Sequence, residues 1–187
     1  MTLESTRLRA DAQENRDRIL AAASELFAER GLDVGMRDIA RRAGVGPATL
    51  YRRFPTRQDL IDEAFAVETA ACRRIVEDGC ADPDPWRGFS EALRRLIVLN
   101  VRNRGFVDAL VSTTPSAATA AHRRELLGML DGVARRAREQ GTLRADYAPT
   151  DLILILSAGR GLSASRRDLL PAAARRFADL AIDGLRA

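Results

Sequence analysis

The chain has 187 residues, of which 46% are hydrophobic and 30% charged, so it can bury a core and reads as a globular protein. No run of about 18 apolar residues occurs, and the opening MTLESTRLRADAQENRDR lacks the apolar centre of a signal peptide, so a cytoplasmic protein with no membrane partner is expected. A single histidine, two cysteines eight residues apart and no glycine-rich phosphate loop leave nothing from which to build a metal cluster, a nucleophile elbow or a P-loop, so neither a catalytic site nor a metal or cofactor is expected.

Residues 1–11 carry Arg7 and Arg9 without apolar periodicity. They read as a flexible basic arm able to reach phosphates or a minor groove, or as a disordered start with no role. A helix follows over about 12–30, with Ile19, Ala22, Ala23, Leu26 and Phe27 as its inward stripe, and Gly31 ends it.

Residues 37–54, RDIARRAGVGPATLYRRF, spell a short helix, a tight turn and a second short helix. Ile39, Ala40 and Ala43 share one helix side, Gly44 stands where a left-handed cap is needed, and Val45 is an apolar plug in a polar turn. Gly46 and Pro47 restart the chain as helix, with Pro47 preset for the first turn. Leu50 and Phe54 face inward, which leaves Gly46, Pro47, Ala48, Thr49, Tyr51, Arg52 and Arg53 to look outward. Seven residues rise about 10 Å, comparable with a major groove about 12 Å wide. Ala48 lets the backbone approach, Thr49 offers a methyl or hydroxyl to a base edge, and Tyr51, Arg52 and Arg53 suit phosphate or guanine. The net charge of +4 is modest, but between Arg37 and Arg57 six arginines face one acid, Asp38, which adds Arg37 and Arg57 to the expected contacts. Because all 30 basic residues are arginine and clusters also occur elsewhere, the pattern of the motif carries more weight than its charge.

Residues 18–60 resemble the N-terminal DNA-binding domain of the TetR family of transcriptional regulators. Matching features are Ile19-Leu20-Ala21-Ala22, Leu26-Phe27, Gly31, Ile39-Ala40, Ala43-Gly44-Val45, Thr49-Leu50-Tyr51, Phe54 and Leu60. The resemblance implies an all-α homodimer in which a DNA-binding domain joins a larger ligand-binding domain, usually a repressor released by a small molecule. Gly46 stands where the family often has serine, and Arg53 where it often has histidine. Glycine is a weaker N-cap and arginine keeps a backbone contact, so the fold is not threatened, but no operator sequence can be carried over.

Thr56 caps a long helix expected over about 57–79; Cys72 lies within it and Cys80 just past its end, about 12 Å apart at helical rise and too far for a disulfide. After Asp82-Pro83-Asp84-Pro85, helices are expected over 86–103, 106–111 and 116–140, the last closed by Gly141. Pro149 opens an apolar helix through Leu152–Leu156, and the final helix spans about 168–185 with Leu169, Ala173, Phe177, Leu180 and Ala181 aligned. The expected fold is all-α with about nine helices: a helix-turn-helix domain over 12–56 and a ligand-binding and dimerisation domain over 57–187.

The last two helices offer more apolar surface than one chain needs and read as a homodimer interface over 150–185, which suits a palindromic operator; burial within one chain is the alternative. Trp86, Phe89, Phe106, Met129 and Tyr147 are the side chains of either a lipophilic effector pocket or plain core. His122 is either a ligand's hydrogen-bond partner or a surface histidine. The expected function is a sequence-specific transcriptional regulator of double-stranded DNA, a homodimeric repressor released from its operator by a small lipophilic effector, with an activator using the same contacts left open. The alternative is a helical dimeric metabolite-binding protein with a vestigial DNA-binding motif.

Overall fold

The computed structural model describes residues 3–112, 114–164 and 169–187, and among them every regular element is helical. Ten α-helices run in the order α1 (Leu3–Arg30), α2 (Met36–Ala43), α3 (Pro47–Arg53), α4 (Arg57–Ala64), α5 (Ala66–Ala81), α6 (Pro85–Arg102), α7 (Arg104–Val111), α8 (Ala117–Glu139), α9 (Pro149–Ala158) and α10 (Leu170–Leu185). The all-α architecture with an N-terminal helix-turn-helix head and a C-terminal helical body is as expected.

Two boundaries differ from the sequence expectation. α1 begins at Leu3, so the arm expected over 1–11 is largely the first turns of a helix. Residues 3–11, LESTRLRAD, include strong helix formers, and propensity carries the helix past the point where the apolar stripe ends. The helix expected over 57–79 is two helices, α4 and α5, broken at Phe65 (φ −104°, ψ 13°), which raises the helix number to ten. The start expected for α10 at Asp168 lies outside the described residues.

Local chemistry sets most of the ends. Gly31, Gly44 and Gly141 take φ of 73°, 66° and 70°, the left-handed region that stops a helix cleanly in glycine. At the end of α2 the amide of Val45 donates to the Ala40 carbonyl at 3.0 Å while Gly44 turns the chain. Thr56 and Asp59 form a reciprocal capping box on α4, at 3.1 and 2.9 Å. Asp84, Asn103 and Ser116 accept from backbone amides at 3.0, 3.1 and 2.9 Å to start α6, α7 and α8.

α1 carries the head, packing against α2, α3 and α4, and also meets α7 of the body. Ile19, Ala23, Phe27, Ile39, Leu50, Phe54 and Leu60 are all essentially fully buried there. In the body α6 is central, packed by α5, α8 and α10. Ion pairs stitch that bundle: Arg73 to Glu125 between α5 and α8, Arg95 to Asp78 between α6 and α5, and Arg94 to Asp179 between α6 and α10. The C-terminus is tied back where the Arg144 amide donates to the Leu185 carbonyl at 3.0 Å.

Candidate nucleic-acid interface

The turn between α2 and α3 presents α3 with its apolar residues in and its polar residues out. Leu50 and Phe54 are fully buried, whereas Gly46, Pro47, Ala48, Tyr51, Arg52 and Arg53 are exposed and Thr49 is half-buried. Tyr51 leaves 49% of its surface exposed although it is a large ring, which a purely structural residue would bury. Arg52 donates to the Thr49 hydroxyl at 3.2 Å, so two expected contact residues are already oriented together. Gly46 has open space where a side chain would stand, so nothing steric excludes the serine common at that place.

The arginines of this segment differ in their partners, although all but Arg57 are exposed. Arg37, Arg52 and Arg53 are exposed. Arg41 and Arg42 are paired with Asp38 at 2.5 Å and Glu25 at 2.7 Å. Arg57 departs from its expected role: its guanidinium turns inward, donates to the carbonyls of Leu32 and Val34, and lies 5.8 Å from the Phe27 ring centre. Those carbonyls belong to the turn after α1, where no helical partner is available, and a planar fork can satisfy both. Arg57 therefore braces the head. The side chains of Arg7 and Arg9 lie outside the described residues.

A second site lies beneath the head, at the α4–α5 break. A cavity of about 100 Å³ is lined by Ile61, Asp62, Phe65 and Thr69 from the broken helix pair, Phe106, Ala109 and Leu110 from α7, and Ala118, Thr119 and His122 from α8. Of the expected ligand residues it brings together Phe106 and His122. It excludes Trp86 and Phe89, which belong to a cluster at the far end of α6, where Phe89 meets Tyr147 edge-on at 5.5 Å and Arg186 covers Trp86 at 5.5 Å. Met129 is likewise absent from its walls. Ile61, Phe65 and Thr69 were not among the expected ligand residues; their spacing of four residues is the sequence signal of a shared face, and the structure sets them on α4, at the break and on α5.

His122 is the cavity's titratable contact on α8. Burial, and then the Arg73 guanidinium, hold its pKa below the usual histidine value. Its Nε2 is shut off from solvent without a hydrogen-bond partner. Asp62 is well supplied, because Oδ1 accepts from Gln58 at 2.9 Å, Ser116 at 3.1 Å and Thr119 at 3.3 Å. A row of rings connects the cavity to the head. Phe106 meets Phe65 edge-on at 5.6 Å, and Phe65 meets Phe27 of α1 at 5.7 Å.

Residues 19–64 match the profile of bacterial regulatory proteins of the tetR family, and residues 84–187, more than half of the chain, match the C-terminal domain of SbtR-like transcriptional regulators. The chain belongs to the TetR family of transcriptional regulators. A solved TetR transcriptional regulator from Streptomyces coelicolor is 37% identical, covers 91% of this chain and 98% of its own, and superposes with a TM-score of 0.54. An HTH-type transcriptional regulator of Staphylococcus aureus is 46% identical over 54 residues, 28% of this chain and 29% of that protein, so the match spans under a third of the length of such curated relatives. A transcriptional regulator from Bacillus subtilis, solved with stearoyl-CoA, is 17% identical over 91% of this chain and 99% of its own, with a TM-score of 0.60, and shares the fold. The TetR-family proteins matched are transcription regulators. No helix among the described residues is long and apolar enough to cross a membrane.

Proposed function

We propose that this TetR-family chain is a homodimeric repressor that leaves a palindromic operator when a small molecule fills the cavity at the α4–α5 break. The observation that carries the reading is the placement of that cavity: its Phe65 wall is also the joint between head and body, and Phe65 touches Phe27 of the DNA-binding head. A ligand that favours one arrangement of this joint changes the setting of α3. Gly46, Pro47, Ala48, Thr49, Tyr51, Arg52 and Arg53 read the DNA, with Arg37 on the backbone, while Arg57 acts through the fold.

Two copies pair through α9 and α10. Leu154 and Leu180 are 68% and 54% exposed beside half-buried Ile155 and Ala181, an apolar face that a second copy would cover. Two-fold pairing suits half-sites about 34–36 Å apart or a multiple of that. The stearoyl-CoA held by the Bacillus subtilis protein indicates that the fold can house a ligand, but a cavity of about 100 Å³ calls for a far smaller one.

Fluorescence anisotropy with DNA from the gene's own promoter tests the reading. Binding at physiological salt that is tighter than to random duplex supports it; equal binding sinks it. The metabolite-binding alternative predicts that altering Tyr51 and Arg52 leaves every property of the protein unchanged, whereas the regulator loses DNA affinity and keeps its ligand.

A further inference from the structure

The cavity at the break is asymmetric in its chemistry. Phe65, Phe106, Ala109 and Leu110 form an apolar wall, and Asp62, Thr119 and His122 form a polar one. On the polar side Asp62 and Thr119 already bond each other, and Asp62 also accepts from Ser116 and Gln58. His122 Nε2 has no such partner and is itself closed to solvent, a costly state for a ring nitrogen that a small turn of the imidazole toward the cavity would relieve by bringing Nε2 onto a ligand.

The charges around the cavity restrict what can fill it. An anionic head would meet the Asp62 carboxylate, and the two nearby cations are engaged. Arg73 is held by both oxygens of Glu125, at 2.7 and 2.5 Å, and Arg123 donates to the carbonyls of Leu110 and Ser112 at 3.0 and 3.2 Å. A cationic head would be drawn to Asp62, but its Oδ1 already accepts from Gln58, Ser116 and Thr119, and beside His122 the cation would meet the same burial and the same Arg73 field that disfavour a charge on the imidazole. A neutral hydroxyl fits either tautomer, since it can donate to a bare Nε2 or accept from a protonated one.

Size restricts it further. A cavity of about 150 Å³ holds one benzene ring, so about 100 Å³ admits a single ring at most, with a small adjustment of the wall. The edge-to-face pair Phe65–Phe106 favours an aromatic ring there. Leu110 also lines a second, mostly apolar cavity of about 40 Å³ among α5 to α9, walled by Val76, Leu96, Leu126, Leu130 and Ile153 together with Arg123. Leu110 is thus common to the walls of both cavities.

We infer that this cavity binds a compact uncharged molecule of one aromatic ring bearing a hydroxyl, with the hydroxyl on His122 Nε2 and the ring against Phe65 and Phe106, and that Leu110 limits the length of any tail. The inference names the effector class for the gated-regulator reading and rests on it only for its consequence at DNA.

Calorimetry on the full-length protein with phenol, toluene, benzoate and benzylamine tests it. Phenol binds about tenfold or more tighter than toluene, and both charged compounds bind more weakly than phenol. In His122→Leu the preference for phenol over toluene collapses while toluene still binds; in His122→Gln, whose amide can reach the same place, the preference survives. Leu110→Ala joins the two chambers and improves binding of 4-propylphenol relative to wild type by about tenfold. Equal affinity for phenol and toluene in the wild type, tighter binding of benzoate or benzylamine, or an undiminished phenol preference in His122→Leu overturns the assignment. Anisotropy on promoter DNA, run in parallel, separates the two readings. Specific DNA binding with no phenol binding removes this inference and leaves the regulator. Phenol binding that never alters DNA affinity keeps the site and removes the gating.

Discussion

Gly105 lets α7 lie directly on α1 at Phe27: a Cβ on Gly105 would stand 2.7 Å from both the Cβ and the carbonyl oxygen of Phe27. Body and head therefore touch backbone to backbone at this point, one residue from Phe106 of the cavity wall. Gly105→Ala should improve helix propensity by up to about 1 kcal/mol, but the backbone carbonyl cannot step aside, and overpacking costs about 1–3 kcal/mol. The net expectation is a lower thermal midpoint, together with a weakened response of DNA binding to whatever fills the cavity. An unchanged midpoint in calorimetry would show that the two surfaces are not in contact.

Arg53 and Arg57, four residues apart, should separate cleanly in a salt titration. Arg53 is exposed at the end of α3, so Arg53→Ala should reduce the slope of log affinity against log salt by about one. Arg57 donates to the Leu32 and Val34 carbonyls, so Arg57→Ala should leave that slope in place and cost about 1.5–3 kcal/mol of stability instead. Slopes measured on folded variants decide between the two roles.

His122 is the only histidine in the chain, which makes its acid behaviour readable. Burial and Arg73 lower its pKa in the folded state, so the unfolded chain binds the proton more readily. The stability this gives is complete above the unfolded value of about 6.5 and declines as pH falls through the window below it, before carboxylates dominate near pH 5. His122→Leu should flatten the unfolding midpoint between about pH 6.5 and pH 5. A decline of the same size in the variant would assign it to other groups.

Leu180→Glu places a charge on the exposed face shared by α9 and α10. Sedimentation should shift from dimer to monomer, and operator affinity should fall with it, while helix content is retained. A variant that stays dimeric would put the interface elsewhere.

How much of this could be read in the residues depended on how local each cause is. The α2–α3 turn rests on Gly44, Pro47, Leu50 and Phe54, each acting within four residues, and it was legible. The break at Phe65 was not, because no glycine or proline interrupts residues 57–78 and the ring's partners, Phe27 and Phe106, lie about forty residues away on either side. The inward bonds of Arg57 were hidden for the same reason, since its carbonyl partners come from the turn after α1. Phe106 and His122 stood out singly as candidates, but only tertiary packing brings them into one cavity and sends Trp86 and Phe89 to the opposite end of the body.

The inward turn of Arg57 has a practical corollary for cutting the chain. α4 is sewn to α1 at both ends: Arg57 holds the turn after α1, the Ser24 hydroxyl donates to the Ala64 carbonyl at 3.3 Å, and Arg16 pairs with Glu63. A DNA-binding fragment that stops at residue 56, where the motif ends, would strip Leu60, Ile61 and Ala64 from the face of α1 and leave an oily scar. One that runs through Ala64 keeps those side chains over α1, although the Phe27 face that Phe65 and Gly105 cover would still be laid bare.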